Sequence, residues 1–164
     1  MSHDWKTLHK LFDTLRDMTA EMAEGIDDEH FHTAQGDGGH SPAWITGHLA
    51  LGMDFALNMM GDRPEKLEEM MPVFGPGSSG DVGTEWTRDQ LVGHLRSAGN
   101  KVSTRLPELT PSFLDEPQQT PFLQDKLPLV GDLLGHLVST HLALHAGQLS
   151  QWRRSYGMPS ILNL

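Results

Sequence analysis

Two histidines in the last third of the chain, His141 and His145, have the spacing of a helical metal site. They lie four residues apart in His141-Leu-Ala-Leu-His145-Ala-Gly-Gln148. Side chains at this spacing project from one face of a helix, so both imidazoles can bind a single ion. The spacing alone is a weak indication, because 10 histidines would produce some such pairs by chance. A third, distant histidine would complete a site, and His48 is the best candidate.

The faces that these histidines occupy strengthen the prediction. At about 100° per residue, His141 and His145 lie about 40° apart on a stripe that is otherwise largely apolar. That stripe contains Leu134, Leu137, Val138, Leu144, Gln148 and Trp152. His136 is an internal control, because it lies about 140° from His141 and about 180° from His145. We therefore predict that His136 faces elsewhere.

His48 also lies on an apolar stripe of its predicted helix. The residues within about 60° of it are Trp44, Ile45, Leu51, Gly52, Phe55 and Met59. A lone buried histidine is most often an ordinary core residue satisfied by one hydrogen bond, and this interpretation needs no metal. Three converging imidazoles favour a metal, since one divalent ion satisfies three nitrogens at once. We expect Trp44, Phe55 and Met59 to line an apolar approach to the ion, or else to be plain core.

Several other polar residues are secondary candidates. His94 lies at the edge of an apolar stripe in the third predicted helix and is the strongest substitute ligand. Gln148, one turn after His145, either orients that histidine by a hydrogen bond or closes the end of the core. The remaining histidines occur in exposed or loop-like contexts and are expected to be solvated: His3, His9, His30, His32 and His40.

The pattern excludes two familiar kinds of metal site. Zinc proteases need a glutamate directly after the first histidine, and Leu142 occupies that position. Ferritin-like di-iron sites need several carboxylates, and no acidic residue follows Leu133. Three neutral ligands leave the full dipositive charge to act at the open coordination positions. Such an ion lowers the pKa of a bound water or thiol and yields a nucleophile near neutral pH.

Length and composition limit the remaining classes of function. The 164 residues are expected to form one domain, residues 1–164, and the absence of cysteine excludes disulfides and thiolate ligands. A net charge of -10 opposes nucleic-acid binding. The N-terminus lacks a signal-peptide pattern, and no apolar run is long enough to span a membrane. We expect a cytoplasmic protein that acts on a small molecule.

Helical periodicity divides the chain into four long segments. The predicted helices cover about Asp4 to Glu24, Pro42 to Met60, Thr87 to Leu106 and Pro128 to Tyr156. Capping signals precede the second and third helices, at Ser41-Pro42 and at Thr87-Arg-Asp-Gln90. Two long irregular stretches, 61–86 and 110–126, connect the last three helices, and the first contains a helical turn at 65–71. The simplest fold is an all-α four-helix bundle, with up-down-down-up as the preferred order.

These residues together resemble the DinB-like, or YfiT-like, family of bacterial metal-dependent enzymes. The similarity spans almost the whole chain and is carried by Trp44-Ile-Thr-Gly-His48-Leu, His141-Leu-Ala-Leu-His145-Ala-Gly-Gln148 and Arg154-Ser-Tyr-Gly-Met-Pro159. It implies an up-down-down-up bundle, often a homodimer, in which His48, His141 and His145 bind one ion, commonly zinc or nickel. Related proteins include S-transferases and isomerases that use low-molecular-weight thiols such as bacillithiol or mycothiol.

Two hypotheses for function follow. The first is a metal-dependent enzyme, an S-transferase or hydrolase, that activates a thiol cosubstrate or water for attack on a small electrophile. The second is a non-catalytic dimeric helical module with a structural or sensory metal. Coordination number separates them, because structural zinc usually has four protein ligands and a catalytic ion keeps an open position. Several relatives have a second histidine or an acidic residue where this chain has Ala146, so proton-transfer roles there do not carry over.

Overall fold

The structure, a computed structural model, describes residues 5–36 and 38–161. Four long helical segments form a bundle, and short helices lie in the connections. The helices are α1 (Trp5–Glu24), α2 (Asp28–Phe31), α3 (Pro42–Met59), α4 (Leu67–Phe74), α5 (Arg88–Arg105), α6 (Pro111–Leu114), α7 (Val130–His136) and α8 (Leu142–Ser155). A π-helical turn, Leu137–His141, joins α7 to α8, so the three form one continuous segment. The predicted all-α four-helix bundle is confirmed.

The capping signals act as predicted. Ser41 caps α3, and its hydroxyl oxygen accepts a hydrogen bond from the backbone N–H of Trp44 at 3.2 Å. Thr87 and Gln90 form a reciprocal capping box at the start of α5. The helical turn predicted at 65–71 is α4, displaced toward the C-terminus. Two residues named in the predictions, His3 and Asp4, lie outside the described residues.

Three arginines at helix ends establish the direction of each helix. Arg88, at the start of α5, donates to the carbonyl of Ile26 just after α1, so these helices are antiparallel. Arg105, at the end of α5, donates to the carbonyl of Met60 just after α3, so these two are parallel. Arg153, near the end of α8, donates to a carbonyl in the last turn of α1. The order is therefore up-down-down-up, as predicted.

Helix α3 is the most enclosed element of the bundle. Of its 18 residues, 15 are buried, because α4, α5 and α8 pack around it. Polar side chains in such a helix must find partners inside the protein, since an unpaired buried group is costly. His48 and Asp54 are two buried polar side chains of α3. No helix among the described residues combines the length and apolarity needed to cross a bilayer.

Candidate metal centre

The three predicted ligands meet in the structure. His48 in α3 and His141 in the π turn approach each other with their Nε2 atoms 2.9 Å apart. The ring of His145 lies 4.6 Å from that of His48 and 4.7 Å from that of His141, measured between centroids. Each histidine can offer one nitrogen, and these nitrogens lie within 4.8 Å of one another. Within residues 5–36 and 38–161, no other cluster of three or more such side chains could hold an ion.

Two outer groups fix the orientation of two of the rings. His48 Nδ1 lies 2.6 Å from the carbonyl oxygen of Phe74, and a carbonyl only accepts, so Nδ1 carries the proton. His145 Nδ1 likewise donates to Gln148 Oε1 at 2.8 Å. In the neutral form of each ring, Nε2 is then the unprotonated nitrogen that faces the cluster. This is the arrangement by which metal-binding histidines are usually oriented.

The cluster is chemically suited to a divalent ion. The unprotonated nitrogens of His48 and His145 bring electron pairs into one small space, which is unfavourable unless a proton or a cation lies between them. His141 Nδ1 is buried and has no hydrogen-bond partner in the described structure. Imidazole–zinc bonds of about 2.0–2.1 Å require only small ring movements from this spacing. The residues present therefore fit an ion held by three neutral imidazoles.

Burial keeps all three rings in the form that binds metals. It lowers the pKa of His141 from 6.5 to about 3, and the neighbouring imidazoles add to the shift. Burial likewise lowers the pKa of His145 to about 4, partly opposed by its hydrogen bond to Gln148. The pKa of His48 is lowered too, mainly by burial, while the Phe74 carbonyl acts in the opposite direction. At neutral pH all three rings are therefore neutral, and no imidazolium has to lose its charge before an ion binds.

We expect the metal-free protein to lose stability on mild acidification. The pKa values of His141 and His145 lie below the ordinary 6.5, so below pH 6.5 the unfolded chain takes up protons that the folded chain excludes. The contribution of these histidines to the free energy of unfolding is fully present above pH 6.5. It falls as the pH is lowered toward 4, by up to about 1.4 kcal/mol per pH unit for each histidine. Urea unfolding at pH 7, 6 and 5 measures this slope. His145→Gln should reduce it, and a flat profile in the wild type would contradict the prediction.

An apolar cavity of about 520 Å³ opens beside the cluster. Its lining consists of Trp44, His48, Leu51, Gly52, Phe55, Met71, Pro76, Pro121, Phe122, Leu123, Leu133, His136, Leu137, His141 and His145. No Asp, Glu, Lys or Arg is among these residues. Trp44 and Phe55 line the cavity, whereas Met59 does not. Met59 lies one turn beyond Phe55 toward the end of α3, past the cavity wall.

Trp44 is held between two imidazole rings. It stacks on His48 with centroids 4.5 Å apart and on His40 at 3.6 Å, and the rings are nearly parallel in both pairs. Its Nε1 donates to the Ser78 hydroxyl at 2.9 Å. The expectation that His40 is solvated is therefore wrong, because the loop before α3 folds back over its first turn. The other described histidines of that group, His9, His30 and His32, are also half-buried.

The prediction that His136 faces away from the cluster is wrong, and the π turn is the reason. His136 lines the same cavity, and its ring centroid lies 5.6 Å from that of His141. The prediction assumed an α-helix of about 100° per residue, whereas a π turn closes after five residues and brings positions i and i+5 together. The five positions 137–141 are π-helical, so His136 and His141 share one side.

His94, the substitute ligand, is not part of the cluster. Its Nε2 lies 2.7 Å from Oδ2 of Asp54, which is only 2% exposed. The pair links α5 to α3 on a different side of α3. The buried carboxylate of Asp54 requires a hydrogen-bond partner, and His94 supplies it. The contact with Asp54 explains why a histidine lies at the edge of the apolar stripe of α5, and no metal is needed to explain it.

Fold and site together define a helical-bundle protein with a buried three-histidine cluster beside an apolar cavity. The sequence profile of the DinB superfamily matches residues 11–149, and the chain belongs to this superfamily. Its structure is similar to that of YfiT from Bacillus subtilis, described as a probable metal-dependent hydrolase with an unusual four-helix bundle topology. The TM-score is 0.71 at 14% sequence identity, covering 97% of this chain and 91% of YfiT. No match was found among curated proteins.

Proposed function

We propose that this protein is a metal-dependent enzyme in which His48, His141 and His145 bind one divalent ion, zinc or nickel. The reaction is attack by water or by a low-molecular-weight thiol on a small electrophile, as in a hydrolase or an S-transferase. The observation that carries the proposal is the convergence of three neutral imidazoles on the wall of a ligand-sized apolar cavity. The description of YfiT, a protein of similar fold, supports the hydrolase reaction.

The residues of the chain prepare the site for this chemistry. A bound divalent ion would lower the pKa of a water or thiol and polarise the electrophile. The Phe74 carbonyl and Gln148 keep the protons of His48 and His145 on Nδ1, which leaves the facing nitrogens unprotonated. No carboxylate belongs to the cluster, so the ligands do not neutralise the ion's charge. The wall beside the cluster is largely apolar, and a surrounding of low polarity would strengthen electrostatic interactions with the ion.

A purely structural metal is less well supported. Closed zinc sites usually have four protein ligands, and the described cluster provides three beside an open cavity. His94, the residue considered as a further ligand, is bound to Asp54 instead. A single domain, a homodimer and a cytoplasmic location stay predictions from the sequence and the family resemblance.

Metal-dependent turnover tests the proposal. Tag-free protein is stripped with a chelator, reloaded with zinc or nickel, and assayed for hydrolysis of p-nitrophenyl acetate and for conjugation of 1-chloro-2,4-dinitrobenzene with cysteine or glutathione. We expect one of these activities to fall about a hundredfold or more on metal removal and to return on reloading. His48→Ala should behave like the stripped protein, whereas His30→Ala should not, because His30 pairs with Asp27 and belongs neither to the cluster nor to the cavity lining. Equal activity with and without metal would refute the proposal.

A further inference from the structure

His136 is the one residue of the described cavity wall, outside the three-histidine cluster, with an uncommitted side-chain nitrogen. Its Nδ1 is 2.7 Å from the Thr140 hydroxyl, which leaves Nε2 for a ligand. The other polar side chain on the wall, Trp44, already donates its N–H to Ser78. The remaining residues of the wall outside the cluster have apolar side chains, except Gly52, which has none. A molecule bound here therefore meets one hydrogen-bonding side chain in an otherwise apolar surface.

The position of His136 follows from an irregularity in the backbone. A regular α-helix would turn this side chain away from His141, and the π turn at 137–141 brings it to the same side. A π turn replaces part of the regular helical hydrogen-bonding pattern, and such turns occur frequently at functional sites. The half-buried His136 is not needed to fill the core, since its neighbours Leu134 and Leu137 do so. The turn thus places an imidazole at the cavity beside the cluster.

The absence of charge on the described wall restricts what can enter. Away from the ion, a charged group of a ligand would lose its hydration without gaining an ion pair on the described wall, which is strongly unfavourable in an apolar cavity. An apolar molecule gains from burial in proportion to its area. A space of about 520 Å³ accommodates a small aromatic or aliphatic compound. These constraints select for ligands that are neutral wherever they lie against the wall and do not contact the ion.

We propose that His136 positions the substrate through a hydrogen bond at Nε2, and that the part of this small molecule lying against the wall is uncharged and largely apolar, with one hydrogen-bonding group beside the reacting atom. The inference rests on the proposed function for the identity of the site as an active site. In this inference His136 contacts the substrate and is not a ligand of the ion. His136 is a positioning residue whose effect is on binding.

Three probes of nearly equal shape test this inference: acetophenone, which has one carbonyl acceptor, isopropylbenzene, which has none, and benzoate, which is charged. Binding is followed through the indole N–H resonance of Trp44 in two-dimensional NMR, assigned with Trp44→Phe. The full-length protein is studied in zinc-loaded and metal-free forms. Benzoate is measured in the metal-free form, because a carboxylate can also bind the ion directly. The measurements on the metal-free form test the inference independently of whether the protein binds a metal.

We expect acetophenone to bind about two- to tenfold more tightly than isopropylbenzene, as one neutral hydrogen bond allows. Benzoate should bind more weakly than either. His136→Leu should bring the acetophenone-to-isopropylbenzene ratio close to one without weakening isopropylbenzene, whereas His136→Gln should restore part of the preference. Unchanged unfolding midpoints show that the variants are folded. An unchanged ratio in His136→Leu, equal or tighter binding of benzoate, or no saturable binding of any probe would overturn the inference.

Discussion

Replacing His145 by alanine is expected to remove the bound metal almost completely. The ring supplies one of three ligands, and its loss also releases Gln148 from its contact. We expect the affinity for zinc to fall by more than the roughly 10–100-fold that loss of an outer hydrogen-bond partner costs. Elemental analysis of tag-free protein and competition with a zinc chelator measure stoichiometry and affinity. The wild type should retain about one ion per chain, the ratio that one site implies.

A matched variant distinguishes the loss of a metal ligand from the loss of a histidine that does not bind the metal. His30 is half-buried in α2 and interacts with Asp27, away from the cluster. His30→Ala should therefore keep its metal. If His145→Ala and the wild type contained equal amounts of metal, His145 would not be a ligand, and the proposed centre would lose its main support.

Gly47→Ala is expected to destabilise the fold and weaken metal binding together. A methyl group at this position would overlap the ring of Phe74, which is completely buried and packs edge-on against Trp86. Overpacking of this kind costs about 1–3 kcal/mol in the free energy of unfolding. Displacing Phe74 also moves the carbonyl that accepts from His48, so zinc affinity should fall about 10–100-fold. Urea unfolding of the stripped protein and chelator competition measure the two effects.

Gly93→Ala is the control for this change. Gly93 also lies inside a long helix, α5, but a methyl group there would contact nothing within 4 Å. Alanine is the better helix former, so this variant should be more stable by about 0.5–1 kcal/mol and keep its metal affinity. Equal changes in the free energy of unfolding at the two positions would show that overlap with Phe74 is not what makes alanine unfavourable at position 47.

The helices and the three-histidine cluster could be predicted because both depend on regular geometry. Apolar periodicity specified the four long segments. Side chains four residues apart share a face in an α-helix, and His141 and His145 still do so where the π turn meets α8. Ser41 and Thr87 marked helix starts through side-chain chemistry that acts locally. The up-down-down-up order was predicted with little support from periodicity, since helix direction depends on long-range contacts such as that between Arg105 and the end of α3.

The surroundings of the cluster were less predictable. The π turn has no sequence signature that single-chain periodicity can detect, so the direction of His136 was predicted wrongly. Part of the cavity wall, Pro121 to Leu123, comes from an irregular connection whose path depends on long-range contacts, including the isolated bridge between Pro117 and Leu129. His40 was assigned to solvent because glycine-rich loops have no periodicity from which burial can be predicted.

The acceptor that orients His48 is a main-chain atom, and this affects how the site can change in evolution. Every amino acid provides a carbonyl at position 74, so the orienting contact is independent of residue identity there. Mutational scanning would detect only the packing role of Phe74. A one-residue insertion or deletion inside α4, ahead of Phe74, would turn the following residues by about 100° and change which carbonyl faces the ring. We therefore expect relatives to differ in α4 by substitution more readily than by a change in its length.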